Sequence, residues 1–219
     1  MVEKEGYIRP LSPESEGEAP GRGRLTGRRI LVVGGGQQVL DAATDPVGNG
    51  RAMSLLFARE GAEVAVADMN LKSAEDTVAQ IVKEGGKAHA IEADISKPGD
   101  IEAMIGEAET ALGTLNGLVL NVGIGVGGLG LQGAEPDAWD KVLAVNLRGP
   151  MLCCKAALPQ LADGSPIVFI SSIAGLVAGS RLPAYDASKA ALGGLMRHVA
   201  LEGSRRGIRA NIVAPGLVD

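Results

Sequence analysis

Aromatic residues are scarce in this chain of 219 residues, which holds one Trp, two Tyr and two Phe. Histidine and cysteine are as rare, with two of each. The cysteines are neighbours, Cys153 and Cys154, and adjacent thiols seldom bridge each other. They read instead as buried thiols on a helix, as suits a cytoplasmic protein. His89 and His198 have no second ligand at metal-binding spacing, so no metal site is expected and both read as structural. No apolar run reaches roughly 18 residues, which argues against a membrane span. There is no long basic run, and the formal net charge is −5. Nucleic acid and anionic membrane surfaces are therefore poor partners.

What the chain has in quantity is apolar residues, 46%, and 32 glycines. That is enough to bury the core of one α/β domain. Residues 1–24 are polar, rich in Glu, Pro and Gly, and lack the apolar middle of a secretory signal. They are expected to form a flexible tail, with one domain over residues 25–219. Within it, short apolar runs alternate with helix-like segments. Strands are expected at Arg29–Val33, Glu63–Ala67, Ala88–Glu92, Leu118–Asn121, Ile167–Ile170 and Ile208–Val213. Helices are expected from about Gly50 to Glu60, over Leu71–Glu84, Pro98–Leu112 and residues 136–161, and over Tyr185–Arg205. Pro150 and Pro159 would kink and stop the fourth of these. Strands alternating with crossover helices give a parallel sheet covered on both faces, a Rossmann-type doubly wound fold of strand order 3-2-1-4-5-6.

Two stretches carry chemistry. "LVVGGGQQVLDAATDPVGNGRAMS" runs from a strand through Gly34 to a helix start framed by Gly48, Asn49 and Gly50. Free N–H groups and the helix dipole at such a start favour a pyrophosphate. Asp68 ends the next strand, where an acid accepts from adenosine ribose hydroxyls and repels a 2′-phosphate, favouring NAD over NADP. The second stretch, "SSIAGLVAGSRLPAYDASKAAL", places Ser172 at a strand end and Tyr185 and Lys189 four apart on one helix face. An ammonium beside a phenol stabilises the phenolate, so the phenol can serve as acid or base near neutral pH.

Together these residues resemble a short-chain dehydrogenase/reductase over about residues 25–219. The family's T-G-x-x-x-G-x-G matches Val33-Gly34 followed by Gly48-Asn49-Gly50. Asp68 matches its acidic strand end, and Asp94-Ile95 the pair that flanks adenine. Asn121-Val122-Gly123 corresponds to N-x-A-G with the alanine-glycine pair altered. Asn146 matches the helix asparagine, Ser172, Tyr185 and Lys189 the catalytic set, and Pro215-Gly216 the pair after strand six. The resemblance implies that Tyr185 exchanges a proton with the substrate oxygen and that Ser172 hydrogen-bonds that oxygen. Lys189 would bind the nicotinamide ribose, and Asn146 would support a water linking Lys189 to solvent. The implied reaction interconverts a small-molecule secondary alcohol and a ketone with NAD, in a homodimer or homotetramer built on the helices at 136–161 and 183–205.

Three departures from the family stand out. Val33 replaces its Thr. Thirteen residues, Gly35 to Val47, separate Gly34 from Gly48 where the family has three, and Gln38–Asp45, with the acids Asp41 and Asp45, should bulge outward. The sequence stops at Asp219, so the family's substrate-covering segment and last strand are expected to be missing. These departures keep open a non-catalytic dinucleotide-binding or scaffold role. Arg51 keeps open an NADP enzyme, should it reach a 2′-phosphate.

Overall fold

The computed structural model describes residue 13 and residues 20–37, 47–177 and 179–216. Six parallel strands form one sheet in the order β3-β2-β1-β4-β5-β6. They are β1 (Arg29–Val33), β2 (Glu63–Asp68), β3 (Lys87–Glu92), β4 (Gly117–Leu120), β5 (Pro166–Ile170) and β6 (Arg209–Val213). The order reverses between β1 and β4, and their ends stand level, with Val33 opposite both Ala67 and Leu120. This is the doubly wound arrangement expected from the alternation of elements. Its crevice opens at the carboxyl ends of β1 and β4.

Alternation along β1 divides the core. Ile30 and Val32 face a layer with Leu55, Ala74 and Ile81. Those residues come from α1 (Asn49–Arg59) and α2 (Leu71–Lys83). Leu31 and Val33 face the opposite layer, with Ile101, Met104, Cys153 and Leu192. That layer is built by α3 (Pro98–Leu112), α4 (Pro136–Leu143), α5 (Gly149–Ala157) and α6 (Pro183–Gly203). Successive side chains on a strand point to opposite faces, so a strand buried on both sides reads as a continuous apolar run.

The structure revises the sequence reading at three places. The helix expected over residues 136–161 is two helices joined by a wide π turn at Ala144–Arg148. Pro150 therefore does not kink a helix; it sits in the first turn of α5, where its missing N–H is tolerated. The first helical residue of α6 is Pro183, two positions before Tyr185. The tail boundary also shifts. Within the span assigned to a tail, the backbone amides of Arg22 and Arg24 each donate to Glu60 Oε2 at 3.1 Å. Arg24 Nη2 adds a 2.7 Å bond to Oε1. These donors, the Arg24 guanidinium first, hold the Glu60 carboxyl down to about 2. Polar composition suggested a tail, but a buried acid at the end of α1 binds these residues to the domain.

Candidate active site

The glycine loop is built by interlocking backbone. Gly34 has φ 80°, and a Cβ there would lie 2.8 Å from Val122 Cγ2. The amides of Gly34 and Gly35 both donate to Ala67 O, at 2.8 and 3.0 Å. Asn121 Nδ2 donates to Gly34 O at 2.7 Å, which ties the loop after β4 to the loop after β1. A Cβ on Gly50 would stand 2.0 Å from the same carbonyl, so the helix start must be glycine there. Gly48 is different. It precedes α1 in an extended conformation, and among the described residues a Cβ would meet nothing closer than Gln37 Cγ at 3.7 Å. The α1 start has no side-chain cap and no acid in its first turn.

Asp68 ends β2 beside this loop. Its Oδ2 accepts from the Gly36 amide at 3.1 Å and its Oδ1 from the Asn70 amide at 3.0 Å. Gln37 and Ser73 bond to each other, the Gln37 amide to Ser73 Oγ and the Ser73 hydroxyl to Gln37 O. The loop thus leaves Gly34 toward the start of α2. Its continuation, Gln38–Asp45 and Pro46, lies outside the described residues. Arg51 donates from Nε to Thr77 Oγ1 at 3.1 Å, which draws it toward α2.

Asp94 and Ile95 follow β3. Asp94 Oδ1 accepts from the Ser96 amide and hydroxyl at 2.9 and 2.7 Å. Burial opposes the charge, but Ser96 and Lys97 outweigh it and hold this carboxyl below the usual carboxylate range. The Ile95 side chain is buried, with its Cδ1 2.7 Å from where a Cβ on Gly149 would lie.

The second half of the site gathers around α6. Lys189 is 4% exposed, and its Nζ donates to Ile170 O at 3.0 Å. The same nitrogen stands 5.6 Å from the centroid of the Tyr185 ring. Burial lowers its pKa to about 8. A Cβ on Gly123 would lie 2.7 Å from this nitrogen, so that glycine makes room for the ammonium. Ser172 follows β5 and accepts from the Ala174 amide at 3.1 Å. Its neighbour Ser171 is buried and donates to Lys189 O at 2.8 Å. Of the two serines, Ser171 fastens the helix and Ser172 is the more open. Pro215 and Gly216 lie beside this turn, where Pro215 O accepts from the Ile173 amide at 2.8 Å.

Asn146 sits in the π turn, fully buried, and clasps the Ile124 backbone with both ends of its amide. Oδ1 accepts from Ile124 N at 2.8 Å, and Nδ2 donates to Ile124 O at 2.9 Å. Nδ2 also donates to Ser188 Oγ at 3.0 Å, and Ser188 donates to Tyr185 O at 2.7 Å. One buried chain therefore links the β4 loop, the π turn and the turn of helix that carries Tyr185. Ser188 escaped the sequence reading. Its position three residues after Tyr185 on the same helix face was the available signal.

The remaining candidates stand apart. His89 pairs with Glu107 at 2.9 Å and His198 with Glu202 at 2.8 Å, all largely exposed. Cys153 and Cys154 are free and buried, and burial pushes the Cys153 thiol up to about 12. Among the described residues, no group of three His, Cys, Asp or Glu could hold a metal ion. None of the described helices is long and apolar enough to cross a membrane.

Comparison with known proteins finds relatives in sequence and in fold. A family model described as short chain dehydrogenase matches residues 43–219. The 2-(S)-hydroxypropyl-CoM dehydrogenase 3 of Xanthobacter autotrophicus is 39% identical over 198 residues, 89% of this chain and 73% of that protein. A second protein of that organism, named inactive 2-(S)-hydroxypropyl-CoM dehydrogenase 2, is 40% identical over 76% of this chain and 71% of its own length. Among solved structures, a short-chain dehydrogenase/reductase from Serratia marcescens superposes with a TM-score of 0.81 at 31% identity, covering 90% of this chain and 76% of that one.

Proposed function

The chain belongs to the short-chain dehydrogenase family, whose members are NAD(P)-dependent oxidoreductases, and on that premise we propose that it interconverts a secondary alcohol and a ketone with Tyr185 as acid and base. The observation that carries this reading is the buried Lys189, whose Nζ stands 5.6 Å from the centroid of the Tyr185 ring and donates to Ile170 O, two residues before Ser172.

The residues present fit a nicotinamide cofactor. The α1 start offers N–H groups without a side-chain cap to an anion, and among the described residues none comes closer to a Cβ on Gly48 than Gln37 Cγ at 3.7 Å. In our reading Gly34, Gly48, Asn49 and Gly50 hold the pyrophosphate and Asp68 the adenosine ribose. Asp94 and the Ile95 backbone border the adenine. Asn121 and Gly123 line the cleft, Tyr185 and Lys189 hold the nicotinamide ribose, and Pro215 and Gly216 border the ring. The cofactor, when bound, supplies or accepts the hydride.

The chain's own residues manage the proton. In reduction, the Tyr185 hydroxyl gives its proton to the carbonyl oxygen as that oxygen gains negative charge; in oxidation the phenolate takes it back. Ser172 donates a hydrogen bond to the same oxygen and fixes its position. Lys189 keeps positive charge beside the phenol. Asn146 holds the π turn open, and Pro150, having no N–H, gives the Asn146 carbonyl no helical donor four residues on. That carbonyl then supports a water that reloads Lys189 from solvent. Asp68 favours NAD, since a carboxylate beside the ribose repels a 2′-phosphate, and the engagement of Arg51 with Thr77 agrees with this.

A second reading is a dinucleotide-binding protein without turnover. The similarity to a protein named inactive favours it. Incubation with NADH or NADPH and a panel of ketones, followed by loss of reduced-nicotinamide absorbance, tests both readings. Turnover of any ketone with tighter binding of NADH than NADPH is expected. Binding without any turnover would support the second reading, and a clear NADPH preference would overturn the role given to Asp68.

A further inference from the structure

The two loops that flank Tyr185 share a chemistry that the catalytic set does not require. Residues 122–134, after β4, contain no charged side chain, nor do residues 171–180, after β5. Yet both present large apolar groups to solvent. Leu131 is 82% exposed and Leu176 75%, with Val126, Leu129, Ile173 and Val177 also exposed. Exposed apolar side chains on two loops that adjoin one site point to a binding surface rather than ordinary surface.

The loops are continuous with the reacting residues. Ile173 follows Ser172 directly, and the Ser172 hydroxyl caps the turn at Ile173–Gly175. Gly125 leads the other loop past the acid/base. A Cβ there would lie 3.1 Å from Leu182 Cδ1 and 3.7 Å from Tyr185 Cδ2. The loops are also fastened together. The Gly130 amide donates to Arg181 O at 2.9 Å. Arg181, at φ 62°, is the one non-glycine with a left-handed backbone among the described residues. Such a backbone is strained for a residue with a side chain and persists only where the surroundings enforce it. The charged residues next to these loops in sequence offer no single sign to a charged ligand. Asp186 is engaged by the Ser180 hydroxyl, and Glu135 and Arg181 carry opposite charges.

We propose that the substrate is an uncharged ketone or alcohol whose apolar chain lies along these loops, with its oxygen at Tyr185 and Ser172. This rests on the oxidoreductase reading above and names the substrate class of that site.

The test uses the whole chain with NADH and the series 2-butanone, 2-hexanone, 2-octanone, together with 7-oxooctanoate, which matches 2-octanone but ends in a carboxylate. Burying part of each added methylene should raise kcat/KM about tenfold across the series. The carboxylate should fall at least about tenfold below 2-octanone, because its charge would meet an apolar surface. Leu131→Glu and Leu176→Glu, both on exposed positions that the fold does not need, should flatten the chain-length dependence. A flat or falling series, or a carboxylate used as well as 2-octanone, overturns the proposal while leaving the oxidoreductase reading intact. Should no ketone turn over, that reading fails, and binding decides the inference. Trp139, the single Trp, lines a small cavity with Val126, Gly127 and Leu182. Its fluorescence should respond to 2-octanone at lower concentration than to 2-butanone or 7-oxooctanoate. Equal responses, or none, would overturn the apolar assignment.

Discussion

At the scale of single residues, the role proposed for Lys189 sets function against stability. Its amine is buried, and its pKa is lowered to about 8 from 10.5. A lysine depressed in this way burdens the fold wherever it is charged, so the burden is fully present below about pH 8. It is relieved as pH rises from there toward 10.5, where the unfolded chain still holds its proton. Lys189→Met fills the same space without charge, although it leaves Ile170 O without its donor. The net expectation is a gain of about 1–2 kcal/mol near pH 7, shrinking by pH 10, with turnover lost. Urea melts at the two pH values read it; a variant less stable at pH 7 would contradict the account. Ser172→Ala should do the reverse. Its hydroxyl caps only a short turn, so stability should move by about 1 kcal/mol or less. Losing a donor to the reacting oxygen should lower kcat about 10²–10³-fold. A kcat within a few-fold of the parent would remove Ser172 from the site.

At the scale of elements, the two halves of the site depend on loops locking onto loops. The helix start at Gly50, the carbonyl of Gly34 and the amide of Asn121 meet at one point. Gly50→Ala drives a methyl into that carbonyl. It should cost about 1–3 kcal/mol and weaken NADH binding at least about tenfold, checked by calorimetric titration; unchanged affinity would place the pyrophosphate elsewhere. This is also where sequence and structure part. Strands such as Arg29–Val33 and Glu63–Asp68 were legible because burial on both faces makes them unbroken apolar runs. Ser172, Tyr185 and Lys189 could be proposed from the sequence because their spacing crosses only one strand end and one helix turn. The π turn at Ala144–Arg148 was not, since apolar periodicity does not distinguish a wide turn from a regular one. Nor was the clasp of Asn146 on Ile124, which joins residues 22 apart through backbone atoms that no side-chain pattern encodes. The docking at Arg22 and Arg24 was hidden for a similar reason, because main-chain amides supply bonds to Glu60 that add to the one from the Arg24 guanidinium.

At the scale of the whole molecule, one apolar groove lies open on the helices. Leu143, Ala144, Leu147 and Met151 line a groove along α4, the π turn and α5, bordered by Asp140 and Arg148. Half-buried Leu195 from α6 closes it. Helices meeting their symmetry mates here would bury that face, so light scattering at micromolar concentration should find a dimer or tetramer. Met151→Glu should shift the population toward monomer. A monomeric parent would contradict this arrangement. The proposed reaction turns on one hydroxyl, that of Tyr185. Parallel measurement of NADH affinity and ketone reduction in the parent and in Tyr185→Phe tests the account most directly. Unchanged NADH binding with turnover lowered at least about 10³-fold is the predicted result; turnover retained in the phenylalanine variant would contradict it.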